Sequence, residues 1–203
     1  MNQNRQTQVI VAMFAILLLA GSISLFYYQK ARYSDVFFEY NGFAVHRVNE
    51  KGINEYRIEF RLNNNPQPFQ ISSRYNPRYL EDIKVYDGLK KDLIKEELYI
   101  TLEPTLSGKA TIAFSEINRY LENPFLFNLP TFPGLIRPVE GNDLPVITCE
   151  DVSDSRGVIL FDIGDENRIY SQEGCVVMEA VNEDELIRVA DRLTLTILGV
   201  MEP

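Results

Sequence analysis

Apolar and polar residues alternate most regularly over residues 54–62, where Tyr56, Ile58, Phe60 and Leu62 are interleaved with Arg57, Glu59 and Arg61. A period of two marks a strand with one buried face. Residues 35–48 precede it and pair with it as an antiparallel hairpin through a turn at 49–54. Setting Val45 opposite Ile58 and Phe43 opposite Phe60 matches the apolar faces; the other face then carries His46 opposite Arg57, with Glu55 and Glu59 on the diagonals. A loop at 63–68, a short strand at 69–71, and a brief helical turn capped by Asn76 with Pro77 as its first residue come next. Residues 87–97 read as a charged surface helix with Leu89, Leu93 and Ile94 on its inner side.

The middle of the chain has a βαβ-like pattern. Residues 98–102 form a strand that Pro104 ends, and Ser107 caps a helix to about Leu121. On that helix Ala110, Ala113, Phe114, Ile117, Tyr120 and Leu121 share one face, a core stripe. Five of the ten prolines then fall between 123 and 145, which restricts regular structure there to an edge strand near 126–129. The apolar residues of this crossing, Phe125, Phe127, Phe132, Leu135 and Ile136, either cover a sheet edge or form an exposed patch that meets a partner.

Short apolar runs at 146–149 and 158–161 suit central strands. A turn at 164–167 returns through 168–170, and a further strand occupies 175–178. Asn182, with Glu185 three residues on, opens a last helix as a capping box. This helix buries Leu186, Val189, Ala190, Leu193, Ile197 and Val200. The elements together predict an α+β class: one mixed-sheet domain with an N-terminal β-hairpin, a βαβ-like middle and a C-terminal strands-then-helix unit.

Residues 9–28 change the setting of that domain. They carry no charge and match the roughly 20 residues a helix needs to cross a bilayer. The small residues Ala20, Gly21 and Ser22 would suit a cleaved signal peptide, but the run exceeds an ordinary signal core and ends in Phe26, Tyr27 and Tyr28, an interfacial aromatic group. A retained single-pass transmembrane helix is therefore expected, with residues 1–32 as anchor and flanks and 33–203 as the soluble domain. Positive charges near the run are balanced, Arg5 and the amino terminus on one side and Lys30 and Arg32 on the other, so they leave orientation open. The two cysteines, Cys149 and Cys175, tilt the balance: an isolated pair suits a disulfide outside the cytoplasm.

The chain carries 20 basic and 29 acidic residues, net −9. Residues 1–32 hold three of the basic residues and no acid, which leaves 17 against 29, net −12, beyond them. A domain this acidic repels nucleic acid and anionic headgroups.

Candidate chemistry is sparse. Residues 106–110 contain Gly-Lys without the remainder of a phosphate-binding loop, and no GxGxxG, GxSxG, HExxH or CxxC is present. The lone histidine, His46, has no set of fellow ligands. Asp162, Asp165, Glu166 and Asn167 place oxygens in one turn as a weak calcium candidate, without EF-hand spacing. The acid pairs Glu150-Asp151 and Asp162-Asp165 would suit a carboxylate-based hydrolase. No cofactor, metal or small-molecule substrate is expected, and no catalytic residue is assigned.

The segments Arg74 to Arg78, Thr101 to Pro104, Ile112-Ala113, Thr148-Cys149-Glu150, Gly174-Cys175, Ala190 to Leu193 and Leu198-Gly199 together resemble a group of uncharacterised archaeal membrane-anchored proteins. The resemblance implies a cell-surface setting and two paired cysteines, and it carries no reaction with it. The expected function is that of a membrane-anchored, extracytoplasmic structural or protein-interaction domain of the cell envelope. The alternatives are an accessory subunit of a membrane complex, in secretion or surface-filament machinery, and the hydrolase.

Overall fold

The computed structural model describes residues 13, 16–24, 36–50, 52–61 and 69–203. The expected membrane run at 9–28 lies partly outside them. Within it, residues 13 and 16–24 are helical, and Met13, Ile16, Leu17, Leu18, Leu19 and Ile23 are each more than half exposed. Among the described residues no helix is long and apolar enough to cross a membrane. The aromatic group at 26–28 and the loop at 63–68 also lie outside.

The rest is α+β, built around two sheets. The first is an antiparallel meander of β1 (Val36–Tyr40), β2 (Phe43–Glu50), β3 (Ile53–Phe60) and β4 (Phe69–Ser73) in sequence order. Val45 faces Ile58 and His46 faces Arg57, the register that the matching of apolar faces demands. The single expected hairpin is thus extended by a strand on either side. The break between β1 and β2 is Asn41-Gly42, with φ of 48° and 81°. Both central residues of a two-residue hairpin loop of this kind need positive φ, which Asn and Gly adopt most readily.

The second sheet has the order β5-β9-β10-β8-β6-β7, from β5 (Lys84–Val85), β6 (Glu97–Leu102), β7 (Thr131–Leu135), β8 (Arg156–Ile163), β9 (Arg168–Gln172) and β10 (Cys175–Ala180). It is mixed: β7, β6, β8 and β10 run parallel, while β9 is antiparallel to β10. Helix α1 (Leu89–Leu93) is one short turn. It buries Leu89 and Leu93 but leaves Ile94 half exposed, so the surface helix is shorter than its charge pattern implies.

Helix α2 (Gly108–Leu121) links β6 to its parallel neighbour β7, the βαβ unit expected from the pattern. Ser107 caps it by accepting from the Lys109 N–H. Helix α3 (Glu183–Ile197) closes the fold. Its N-cap is Asn182, which accepts from the N–H groups of Asp184 and Glu185. The Glu185 side chain does not complete a capping box; it bonds Asn167 and Arg188.

Two further expectations are corrected. The edge strand is Thr131–Leu135 rather than 126–129, and Pro133 is tolerated in it because an edge strand needs no donor on its outer side. Residues 146–149 do not form a central strand: Val146 makes one isolated bridge to Leu135, and Cys149–Asp151 is a 3₁₀ turn with a Thr148–Asp151 capping box. Short apolar runs do not fix their own conformation.

One core joins Val45, Ile58 and Ile71 of the first sheet, the helices, and Ile100, Ile159, Val176 and Met178 of the second. On α3 every residue from 189 to 197 is buried. A helix with no exposed face is covered on all sides. The predicted apolar stripe therefore understates its burial, since Asp191, Arg192, Thr194 and Thr196 are buried too.

Two substitutions test this packing. A Cβ at Gly157 would stand 2.7 Å from Leu98 Cδ1 and 3.1 Å from the Asp92 carbonyl oxygen, so Gly157→Ala should destabilise by about 1–3 kcal/mol, read from the urea midpoint. The Thr194 hydroxyl is buried and has no hydrogen-bond partner among the described residues. Thr194→Val should accordingly stabilise by about 1 kcal/mol, seen as a rise of a few degrees in Tm.

Candidate functional site

The outer face of the second sheet is built on a small core of Ile147, Val158, Cys175 and Val177. Cys149 and Cys175 are disulfide-bonded, their Cα atoms 5.2 Å apart across 26 residues of sequence. The bridge ties the turn at 149–151 to the first residue of β10. Thr101 reinforces this from β6, its buried hydroxyl donating to the Ile147 carbonyl at 2.7 Å. Arg156 lies over the Tyr99 ring at 4.9 Å and Arg168 over Tyr170 at 4.7 Å, so half-buried aromatic faces on this side are covered by cations.

The Pro/Phe-rich crossing splits between the two roles expected for it. Leu135 is buried, Phe127 and Ile136 are half-buried, and Phe127 packs on the main core. Phe125, by contrast, is 75% exposed and Phe132 41%. Phe132 stands beside Tyr99 with ring centroids 5.4 Å apart. Phe132 belongs to β7 at the sheet's edge, and Phe125 lies in the turn between α2 and β7.

That edge is closed to strand pairing. The Leu98 N–H donates to Pro130 O and the Ile136 N–H to Leu102 O, so the backbone of even-numbered residues faces β6 and that of Thr131, Pro133 and Leu135 faces out. Thr131 gives its N–H to Glu122 Oε1 at 3.3 Å, Pro133 has none, and Leu135 gives its own to Pro145 O at 2.9 Å. An added strand would find acceptors there and no donors. A partner at this edge would contact side chains.

Two cavities lie elsewhere. One, of about 410 Å³, sits where the N-termini of α2 and α3 meet beyond the ends of β8 and β10, with Ser107, Lys109, Glu183 and Asp184 among its lining. Helix N-termini attract anions, but here the chain supplies its own: the Glu183 carboxylate accepts from the Ser107 N–H and hydroxyl, and Asp184 pairs with Lys109 at 2.6 Å. The other, of about 480 Å³, is lined by Tyr40, Asn41, Glu81 and Arg192 at the far end of α3. Arg192 donates to the Ile83 and Glu202 carbonyls and to Thr196 Oγ1. Burial lowers its pKa, and Tyr40 and Glu81 act against that shift.

The remaining sequence candidates are dispersed or engaged. His46 stands 3.8 Å from Glu59 on the first sheet. Asp151 caps its own turn, Asp162 accepts from the Ile163 N–H, and neither acid pair lines the two cavities. Glu166 pairs with Arg168 and Lys84, while Asn167 bonds Glu185 and the Val181 N–H. No group of three or more His, Cys, Asp or Glu among the described residues is placed to hold a metal ion. The turn at 164–167 is organised instead by Glu179 of β10. Burial raises that carboxyl's pKa, but Arg168 and the N–H groups of Glu166 and Asp165 outweigh it and leave the group below its ordinary range.

One buried group escaped the sequence reading. Asp191 of α3 accepts from Tyr75 N at 2.9 Å and lies 2.8 Å from Ser73 Oγ, at the exit of β4. Beside it Glu116 of α2, also buried, binds Arg74 at 2.8 Å and Arg119 at 3.1 Å. The signal was a serine, Ser73, on the same strand face as the buried Ile71.

Compared with known proteins, the chain matches no family, no curated protein and no solved structure.

The disulfide closes a 26-residue separation, for which the chain-entropy model gives about 3–4 kcal/mol. Cys149→Ser combined with Cys175→Ser should therefore lower the unfolding free energy by that amount, measured by urea titration of the oxidised wild type against the double variant.

Proposed function

We propose that this chain is a membrane-anchored domain of the cell envelope, held outside the cytoplasm, which presents a protein-binding surface beside β7. The observation that carries the reading is the apolar N-terminal helix: Met13, Ile16, Leu17, Leu18, Leu19 and Ile23 are 54–67% exposed. Water does not favour a contiguous apolar surface of this kind, whereas the hydrocarbon of a bilayer would cover it. The disulfide supports the extracytoplasmic side, since such bonds persist in oxidising compartments. The exposed rings of Phe125 and Phe132 support the partner surface, because exposed aromatic side chains beside a closed edge suit an interface anchored by side chains.

An accessory subunit of a membrane complex is the second reading, favoured by the 75% exposure of Phe125. It uses the same surface and differs in whether the partner stays bound in mild detergent.

In cells, the full-length protein should sediment with membranes and resist alkaline carbonate; release by carbonate would refute the anchor. A membrane-impermeant maleimide should label Cys149 and Cys175 on intact cells only after reduction. Labelling that needs lysis but no reductant would place the domain in the cytoplasm. Phe125→Ala with Phe132→Ala should abolish partner co-purification with less than about 1 kcal/mol lost from the domain. Retention of every partner would remove the assigned surface.

A further inference from the structure

We propose that Asp191 is carried in the folded protein as a neutral carboxylic acid, and that ionisation of this group is a built-in pH switch on the join between the four-stranded sheet and helix α3.

The geometry requires the proton. Ser73 Oγ lies 2.8 Å from the Tyr75 carbonyl oxygen and 2.8 Å from Asp191 Oδ2, both at the distance of a good O–H···O bond. A hydroxyl has one hydrogen. The Tyr75 carbonyl accepts only, so it takes the Ser73 hydrogen. The Asp191 contact is then a bond only if Asp191 Oδ2 donates a hydrogen to Ser73 Oγ. An ionised Asp191 would leave one of the two short contacts as a meeting of lone pairs. With the acid protonated, both are satisfied, and the Tyr75 N–H is accepted as well.

The surroundings favour the neutral form. Asp191 is 3% exposed, and an ion buried so far needs a counter-charge. From α2, Glu116 faces it with a negative charge, while the cations of this region, Arg74 and Arg119, are bound to Glu116. On α3 itself Glu185, Asp184 and Arg188 act on the neighbouring Tyr75. From the β4 exit come the Ser73 hydroxyl and the N–H groups of Arg74 and Tyr75. Burial pushes Asp191 to about 7, Glu116 adds to the rise, and the N–H groups of Tyr75 and Arg74 partly oppose it.

The sign follows. An unfolded or locally opened chain gives Asp191 a pKa of about 3.9, so between about pH 4 and pH 7 the closed join holds a proton that the open one has lost. Raising pH through that window favours opening, and above 7 the effect levels off because both forms are ionised. The join is tightest in acid. It lies where the meander, next in the chain to the apolar N-terminal run, meets the central helix; the switch stands whether or not residues 9–28 enter a bilayer.

The test uses the full-length protein. Carbon-13 NMR of the aspartate carboxyls, with the Asp191 signal assigned by its loss in Asp191→Asn, should show a midpoint near 7. Amide exchange at residues 72–75, corrected for intrinsic rates, should speed up by up to about tenfold per pH unit from 5 to 7 and level off above. In Asp191→Asn, whose amide donates to Ser73 at every pH, that dependence should vanish, while β8 and β10 behave alike in both proteins. A midpoint near 4, or a pH dependence that persists in Asp191→Asn, overturns the proposal. Should the variant fail to fold, the midpoint in the wild type, assigned from backbone connectivity, decides alone.

Discussion

Helix α3 has no face left for water between residues 189 and 197: α2, β9 and β10 pack against it, and the exit of β4 meets it at Asp191. A helix in that position is normally apolar throughout, yet this one carries Asp191, Arg192, Thr194 and Thr196. Each buried polar group then needs a partner supplied by another element or by its own turn. Asp191 takes the β4 exit, and Arg192 takes the Ile83 carbonyl and the chain after the helix. Thr196 donates back to the Arg192 carbonyl and accepts from its guanidinium. While the buried Thr194 hydroxyl finds no partner among the described residues, Asp191 and Arg192 become the helix's joints to the periphery. They set where the meander and the C-terminal segment sit, and apolar packing alone does not fix such positions uniquely.

Local signals were legible where they repeat. The β2–β3 register could be read because a one-residue slip would put Ile58 and Val45 on the wrong face. The α2 stripe and the caps Asn76, Ser107 and Asn182 were equally plain. Signals that depend on what lies across the core were not. Residues 146–149 look like a buried strand, but Pro145 and the turn made by Thr148 and Asp151 permit only a bridge; Ile147 and Cys149 pack on the sheet while Val146 stays exposed. The strand at Thr131–Leu135 was hidden by Pro133, which reads as a breaker until its place at an edge is known. The Asn41-Gly42 turn signal is masked by the longer apolar stretch around it.

The candidate surface shows the same division. That Phe125, Phe127, Phe132, Leu135 and Ile136 would either cover a sheet edge or stand exposed followed from their place in a proline-rich crossing; that the set divides, and which residue goes which way, did not. Leu135 is buried because the bridge to Val146 folds the chain back over it, whereas Phe125 sits in the turn just after α2. Asp191 was invisible because one acid beside an apolar stripe reads as a helix flank. Only the exit of β4 and helix α2, which meet over it, make that flank an interior.

Edge chemistry narrows what a partner could be. Free edges invite pairing through backbone donors and acceptors alike. On β7 Glu122 takes one outward N–H, Pro133 removes the next, and the Pro145 carbonyl takes the third. On β4 the Tyr120 hydroxyl both accepts from the Ser72 N–H and donates to its carbonyl. The same helix, α2, supplies Tyr120 and ends at Glu122, so one element caps strands of both sheets. A strand offered by another molecule therefore meets filled positions at each. A partner at this end of the domain would meet shape and aromatic surface, where Phe132 stands beside Tyr99 and Arg156 lies over the Tyr99 ring. Such a surface would discriminate through fit rather than through backbone pairing, and the filled positions on β4 and β7 oppose strand addition between copies at those two edges.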